Sequence, residues 1–158
     1  MTSSQFKKSA FSGEGARLFG GRWNRPGIPL IYTAESKSLA ILEILVHLES
    51  PDLLQKFVLF EVKVEETCTA DLDPASLPDN WREDPPPTAA QKIVEDWANS
   101  ARSAVLRVPS AIVTGEFNFL LNPRHPDFRR LQIGQPQSLL LDPRLPRHKD
   151  KPRTIHER

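Results

Sequence analysis

Ile28-Pro29-Leu30-Ile31-Tyr32-Thr33 runs through Ala34-Glu35 into Ser36-Lys37-Ser38-Leu39-Ala40-Ile41-Leu42-Glu43-Ile44-Leu45-Val46-His47-Leu48-Glu49, and this junction decides the fold. The apolar run 28–33 predicts a short strand, with Pro29 near its start where a missing N–H donor is tolerated. Ser36 then offers an N-cap for a helix running to about Glu49, apolar almost all round and hence expected to be buried on most faces. Phe57 to Glu65 alternates, Phe60, Val62 and Val64 being separated by Glu61 and Lys63, which is the pattern of a half-buried strand. Five prolines between Asp71 and Thr88 mark an acidic, irregular connection. Thr88-Ala89-Ala90-Gln91 reads as a capping box opening a second helix, with Ala90, Val94 and Trp97 on one stripe. Further short strands are expected at about 103–108, 111–114, 128–133 and 138–141. Strands and helices mixed in this way predict an α+β domain.

The chain has 158 residues, enough for one domain with a sizeable core at about 100–200 residues per domain. Hydrophobic residues make up 39% and charged residues 26%, which excludes a disordered chain. Lys plus Arg number 21 against 20 Asp plus Glu, so no strong field suits non-specific nucleic-acid binding. The one cysteine, Cys68, cannot form an internal disulfide, and a cytoplasmic location is expected. Leu39 to Leu48, the longest apolar stretch, is broken by Glu43 and His47 and falls short of the roughly 18 residues that span a membrane. Residues 143–158 hold six Lys or Arg against two Asp or Glu, a net of +4, leaving 1–142 at 15 against 18, or −3. The end of the chain therefore reads as a basic tail, solvated or draped on a partner.

Gly20-Gly21-Arg22-Trp23-Asn24 presents an arginine and an aromatic on a glycine-flanked turn. The planar guanidinium suits phosphate or carboxylate, and a structural salt bridge is the alternative. The glycine spacing is that of neither a P-loop nor a dinucleotide fingerprint. Glu43 has Leu39, Ala40, Val46 and His47 as its helical neighbours, so its carboxylate needs a cation, hydrogen-bond donors or a cleft. Arg22 is a candidate partner. Tyr32 lies at a strand end, where a ligand cleft or the core could claim it. Ser110 follows Val108-Pro109 at a kink and fits a ligand donor or a turn former. Asn118, among the aromatics of 117–119, could hydrogen-bond a ligand, whereas Asn122 and His125 fit turn caps. One cysteine and scattered histidines argue against a structural zinc site, and the serine-elbow and cysteine–histidine nucleophile signatures are absent.

Taken in order, Ser12-Gly13-Glu14-Gly15-Ala16, Gly20-Gly21-Arg22-Trp23-Asn24, Tyr32-Thr33-Ala34-Glu35-Ser36 and Leu39-Ala40-Ile41-Leu42-Glu43 resemble the RES domain. Leu106-Arg107-Val108-Pro109-Ser110, Asn118-Phe119-Leu120-Leu121-Asn122-Pro123 and Leu141-Asp142-Pro143-Arg144-Leu145 extend the match to about residue 145. The resemblance implies a RES domain over 11–145, an N-terminal segment 1–10 lacking the family's first strand, and a basic tail 146–158. It implies a compact fold like that of ADP-ribosyltransferases and the toxin half of a RES–Xre toxin–antitoxin module, neutralised by an Xre-type antitoxin. The arginine, glutamate and serine that name the domain fall on Arg22, Glu43 and Ser110. The implied activity is cleavage of NAD at the nicotinamide N-glycosidic bond by hydrolysis or phosphorolysis, with NAD as substrate and neither metal nor further cofactor. Alternatives are mono-ADP-ribosylation of a macromolecule and a non-catalytic binding module; self-association within the complex is left open. Glu43 would stabilise the ribosyl cation, Arg22 would clamp the pyrophosphate, Tyr32 would stack on nicotinamide or ribose, and Ser110 would hydrogen-bond the nucleotide. Trp23, Asn24 and Asn118 complete the implied nucleotide contacts.

Overall fold

The computed structural model describes residues 1–48, 51–140 and 142; the strand end expected at Leu141 and the basic tail lie outside them, and the helix expected to run to about Glu49 ends at Leu45. In chain order the elements are β1 (Thr2–Ser3), α1 (Glu14–Phe19), β2 (Ile31–Ala34), α2 (Lys37–Leu45), β3 (Phe57–Leu59), β4 (Val62–Lys63) and β5 (Thr69–Asp71). There follow α3 (Thr88–Ser100), β6 (Val105–Pro109), β7 (Phe117–Leu121), β8 (Gln132–Ile133) and β9 (Gln137–Ser138). The architecture is α+β.

The central sheet has the order β2-β7-β6-β5, with β5 parallel to β6 and the other pairs antiparallel. Tyr32 pairs with Leu120 and Ala34 with Asn118, while Leu106 and Val108 face the same two β7 residues from the other side. Period-two alternation therefore gives one face Tyr32, Leu106, Val108, Asn118 and Leu120, and the opposite face Ile31, Val105, Phe119 and Leu121. Both faces are covered. On the first, α3 lays Ala90, Val94 and Trp97 against Leu106, Val108 and Leu120, with Trp23 and Leu30 closing the cluster. The buried Trp97 indole donates to Ser103 Oγ at 2.8 Å, and that hydroxyl donates onward to the Val105 carbonyl, so no polar atom of the pair is stranded. On the second face, Ile31, Cys68, Ala104, Val105, Leu121 and Leu131 form another cluster. Smaller sheets, β1-β3-β9 and β4-β8, flank it.

Several expectations are corrected. The strand expected from Ile28 starts at Ile31, because Pro29 brings no donor and packs with Leu30 against Gly13 instead. The run 57–65 splits at Phe60-Glu61 into β3 and β4, which join different sheets. Thr88 is the first residue of α3 and not its cap, and the Gln91 side chain reaches the Gly21 and Asn24 carbonyls instead of the helix start. Residues 111–114 form a turn, since the Ser110 hydroxyl accepts from the Ile112 and Val113 amides and a local side-chain acceptor competes with a strand ladder. Pro126–Arg130 is a 3-10 turn begun by the His125 ring, which accepts from the Asp127 amide, so only Gln132–Ile133 of the expected 128–133 strand remains. The strand expected at 138–141 pairs at Gln137–Ser138. The segment 1–10, without a strand pattern, contributes β1, paired with β3. Helix α1, which the sequence did not signal, is entered through Gly13 at φ +73° and held by the Glu14–Arg17 pair at 2.8 Å.

Candidate active site

Ser36 accepts from the Leu39 amide at 3.0 Å and starts α2 as expected. The helix is not buried on most faces, however. Leu39 alone is fully buried, while Leu42, Val46 and His47 are exposed, because among the described residues α2 packs mainly against β2 and the 3-10 turn Pro51–Lys56. That placement brings Glu43 over the strand ends.

Glu43 Oε1 accepts from Ser110 Oγ at 2.9 Å and from Asn118 Nδ2 at 2.5 Å. These donors come from the end of β6 and the start of β7, residues 67 and 75 positions away in the chain. Glu43 Oε2 has no hydrogen-bond partner among the described residues. One oxygen is thus pinned and the other is presented, an arrangement that fixes the direction of a carboxylate without neutralising it. Ser110, almost fully buried, donates to Glu43 and accepts from two backbone amides. A hydroxyl has one hydrogen and two lone pairs, so Glu43 and the two amides fill its capacity and the hydroxyl fixes the Glu43 carboxylate. Asn118 is 8% exposed, and its Oδ1 is buried without a partner among the described residues.

Tyr32 and Arg22 form the other end of the site. Tyr32 Oη accepts from the Trp23 amide at 3.1 Å and donates to Asn24 Oδ1 at 2.6 Å. The residue as a whole is 37% exposed, but its hydroxyl end is the enclosed one. Burial there holds the phenol well above its usual pKa, against the opposing Trp23 amide and Arg22 charge. Gly21 is required by this contact, because a Cβ there would sit 2.7 Å from Tyr32 Oη. Arg22 does not pair with Glu43. Its Nη1 donates to the Trp81 and Glu83 carbonyls at 3.2 and 3.0 Å, leaving Nε and Nη2 without partners among the described residues.

Trp23 and Asn24, expected as nucleotide contacts, have their side chains engaged within the fold. Trp23 is buried and stacks on Trp81 with ring centroids 5.5 Å apart. Asn24 is fully buried, with Nδ2 donating to the Ala16, Arg25 and Ile28 carbonyls. The salt bridge in this turn belongs to Arg25, whose Nε and Nη2 grip Glu95 of α3 at 2.8 and 2.6 Å. Sequence reasoning missed the segment 81–83. A tryptophan inside a proline-rich connection was its signal, since a large aromatic there needs a packing partner.

A wide cleft of about 780 Å³ opens on the opposite face of the sheet, lined by Thr33, Phe119, Arg107 and Phe60 among others. Tyr32 touches it, but Glu43, Ser110, Asn118 and Arg22 do not. Volume and chemistry therefore part company. The Glu43 face is the stronger candidate because polar side chains from three elements converge there, whereas in the cleft the Arg107 guanidinium already has the Asp71 carboxylate at 3.4 Å.

The RES domain matches residues 2–142. "Toxin Res" of Yersinia enterocolitica is 44% identical over 142 residues, covering 89% of this chain and 93% of its own. A "Prs ADP-ribosylating toxin" of a Sphingobium species is 38% identical, covering 89% of both. The crystal structure of the Mycobacterium tuberculosis MbcT-MbcA toxin-antitoxin complex superimposes with TM-score 0.64 at 25% identity, over 80% of this chain and 75% of that one. MbcT, named an NAD(+) phosphorylase, is also 53% identical over a 38-residue stretch covering 23% of this chain and 20% of its own. With nearly every described residue inside that match and two such relatives along most of its length, this chain belongs to the RES-domain family.

Proposed function

We propose that this protein is the toxin of a toxin–antitoxin pair and that it cleaves NAD at the nicotinamide N-glycosidic bond in the cytoplasm. The carrying observation is the Glu43 carboxylate, pinned through Oε1 by Ser110 and Asn118 with Oε2 unpartnered among the described residues. Breaking the C–N bond sends its electron pair to nicotinamide, which leaves neutral, and positive charge develops on the ribose. The leaving group needs little acid catalysis; a preoriented carboxylate opposing that charge lowers the barrier. A water or phosphate oxygen then bonds to the anomeric carbon, water losing its proton to solvent. Arg22 offers Nε and Nη2, the side-on fork that fits a phosphate. The exposed part of Tyr32 lies beside it for stacking.

The decisive experiment is product analysis from NAD with and without phosphate. Nicotinamide plus ADP-ribose marks hydrolysis, and the phosphate ester of ADP-ribose marks phosphorolysis. Transfer to a macromolecule is the second reading, favoured by the Sphingobium relative's name and its 38% identity; ADP-ribose label on an acceptor protein, with nicotinamide released in step and neither free ADP-ribose nor its phosphate ester formed, would select it. NAD that is neither cleaved nor transferred selects the binding module.

The partner follows from the same charges. A guanidinium fork with no partner among the described residues can be blocked by a protein segment bearing its own carboxylate, such as a C-terminus, and the MbcT–MbcA complex supports an antitoxin partner. Co-expression of the neighbouring reading frame should rescue growth; a toxin harmless when expressed alone overturns the assignment.

A further inference from the structure

Arg22 Nη1 donates both its hydrogens to carbonyls that flank a single residue, those of Trp81 and Glu83. The residue between them is Arg82. Its Nη1 donates to Thr114 Oγ1 at 3.2 Å, and its guanidinium carbon lies 4.9 Å from the centre of the Trp81 ring. Trp81 is itself fixed by stacking on the buried Trp23. Thr114 belongs to the turn organised by the Ser110 hydroxyl. The contacts thus run from Arg22 through 81–83 to Thr114, to Ser110, to Glu43, to Asn118 and along the same sheet face to Tyr32. The segment 81–83 is the wall that closes this ring between its cationic and carboxylate ends.

Arg82 has no ion pair among the described residues, and neither do Arg22, Arg102, Arg124 and Arg129, whereas Arg17, Arg25, Arg107 and Arg130 are matched by carboxylates. Asp79, Glu83 and Asp84 lie close in sequence, and the Glu83 carboxylate accepts from Asn80 Nδ2 at 3.1 Å. The neighbourhood therefore has no strong positive field, so an anion would be recognised here by forked hydrogen bonds at contact range.

We infer that Arg82 is a second phosphate contact, so that Arg22 and Arg82 each engage one phosphate of a diphosphate-bridged dinucleotide and select it over nucleosides. The inference rests on the proposed NAD chemistry for its substrate, but not for its test. Binding of inorganic pyrophosphate to the full chain is measured by calorimetry for the parent, Arg82→Gln, Arg82→Lys and the surface control Arg102→Gln, with melting curves to establish folding. Alongside, kcat and KM are compared for NAD and for nicotinamide riboside, which has no diphosphate.

Arg82→Gln should weaken pyrophosphate about tenfold, as expected for loss of a charged hydrogen bond at a partly solvated site. Arg82→Lys should recover part of that loss, and Arg102→Gln should bind as the parent does. For NAD the loss should fall mainly on KM and exceed the loss for the riboside about tenfold. Pyrophosphate binding that is absent in the parent, or unchanged in Arg82→Gln, overturns the inference even if NAD is cleaved. An Arg82-dependent pyrophosphate site in a chain that leaves NAD intact upholds the inference and removes the NAD reading instead.

Discussion

At Glu43 the decisive quantity is charge, not shape. Glu43→Gln keeps a carbonyl oxygen that can accept from Ser110 and Asn118, so the fold should persist while the charge opposing the ribosyl cation disappears. NAD turnover should fall by about a hundredfold or more, a barrier change of ~3 kcal/mol, with the melting temperature nearly unchanged. A lowered melting temperature with turnover retained would identify Glu43 as structural. Gly21 carries a different prediction. Its substitution by alanine drives a Cβ to 2.7 Å from Tyr32 Oη, so Tyr32 must leave the Trp23 amide and Asn24. Gly21→Ala should raise KM several-fold and lower the melting temperature, and Tyr32→Phe in the same background should add less than it does alone, because the two changes act on one contact. Glu43 was legible in the sequence, since a carboxylate within an apolar helix needs a partner. The identity of that partner was not legible. Ser110 and Asn118 reach it across 67 and 75 residues, a distance that helical spacing cannot see, and the nearer cation, Arg22, turned to backbone carbonyls instead.

The elements divide by how locally their causes lie. Helix α3 was readable because its stripe of Ala90, Val94 and Trp97 meets the sheet directly, and α2's start was readable because Ser36 caps it. The run 111–114 was misread as a strand because one hydroxyl, Ser110, captures two amides there. Between elements, Glu95 ties α3 to the turn bearing Arg22 through Arg25. Its carboxyl is held below the usual range chiefly by the hydrogen bond from Arg25. A depressed folded-state pKa contributes stability that is present above the unfolded pKa and is lost as pH falls through the folded value. Glu95→Gln should therefore destabilise by about 2 kcal/mol at neutral pH, discounted for the half-exposed Arg25. The gap in melting temperature between parent and variant should narrow as acid is added, and a gap that widens on acidification would contradict the pairing.

At the scale of the whole molecule, the fold class was legible from mixed periodicities, while the sheet order was not. β5 runs parallel to β6, and β2 pairs with β7 across 84 to 90 sequence positions; such joins depend on how α3 covers one face, which no local pattern records. The two faces of the central sheet differ in character. One bears the convergent polar groups, and the other bears the wider cleft. The stacked indoles of Trp23 and Trp81 give this asymmetry an optical consequence. Trp97 of α3 is buried, and Trp23 is buried against Trp81, which is half-buried on the segment whose carbonyls hold Arg22, so a change in that segment reaches the stacked pair. Intrinsic fluorescence should therefore respond to a diphosphate or an antitoxin arriving at Arg22 and stay silent for a ligand entering the far cleft. Trp81→Phe should abolish the signal, giving an untagged protein its own occupancy meter for one face alone.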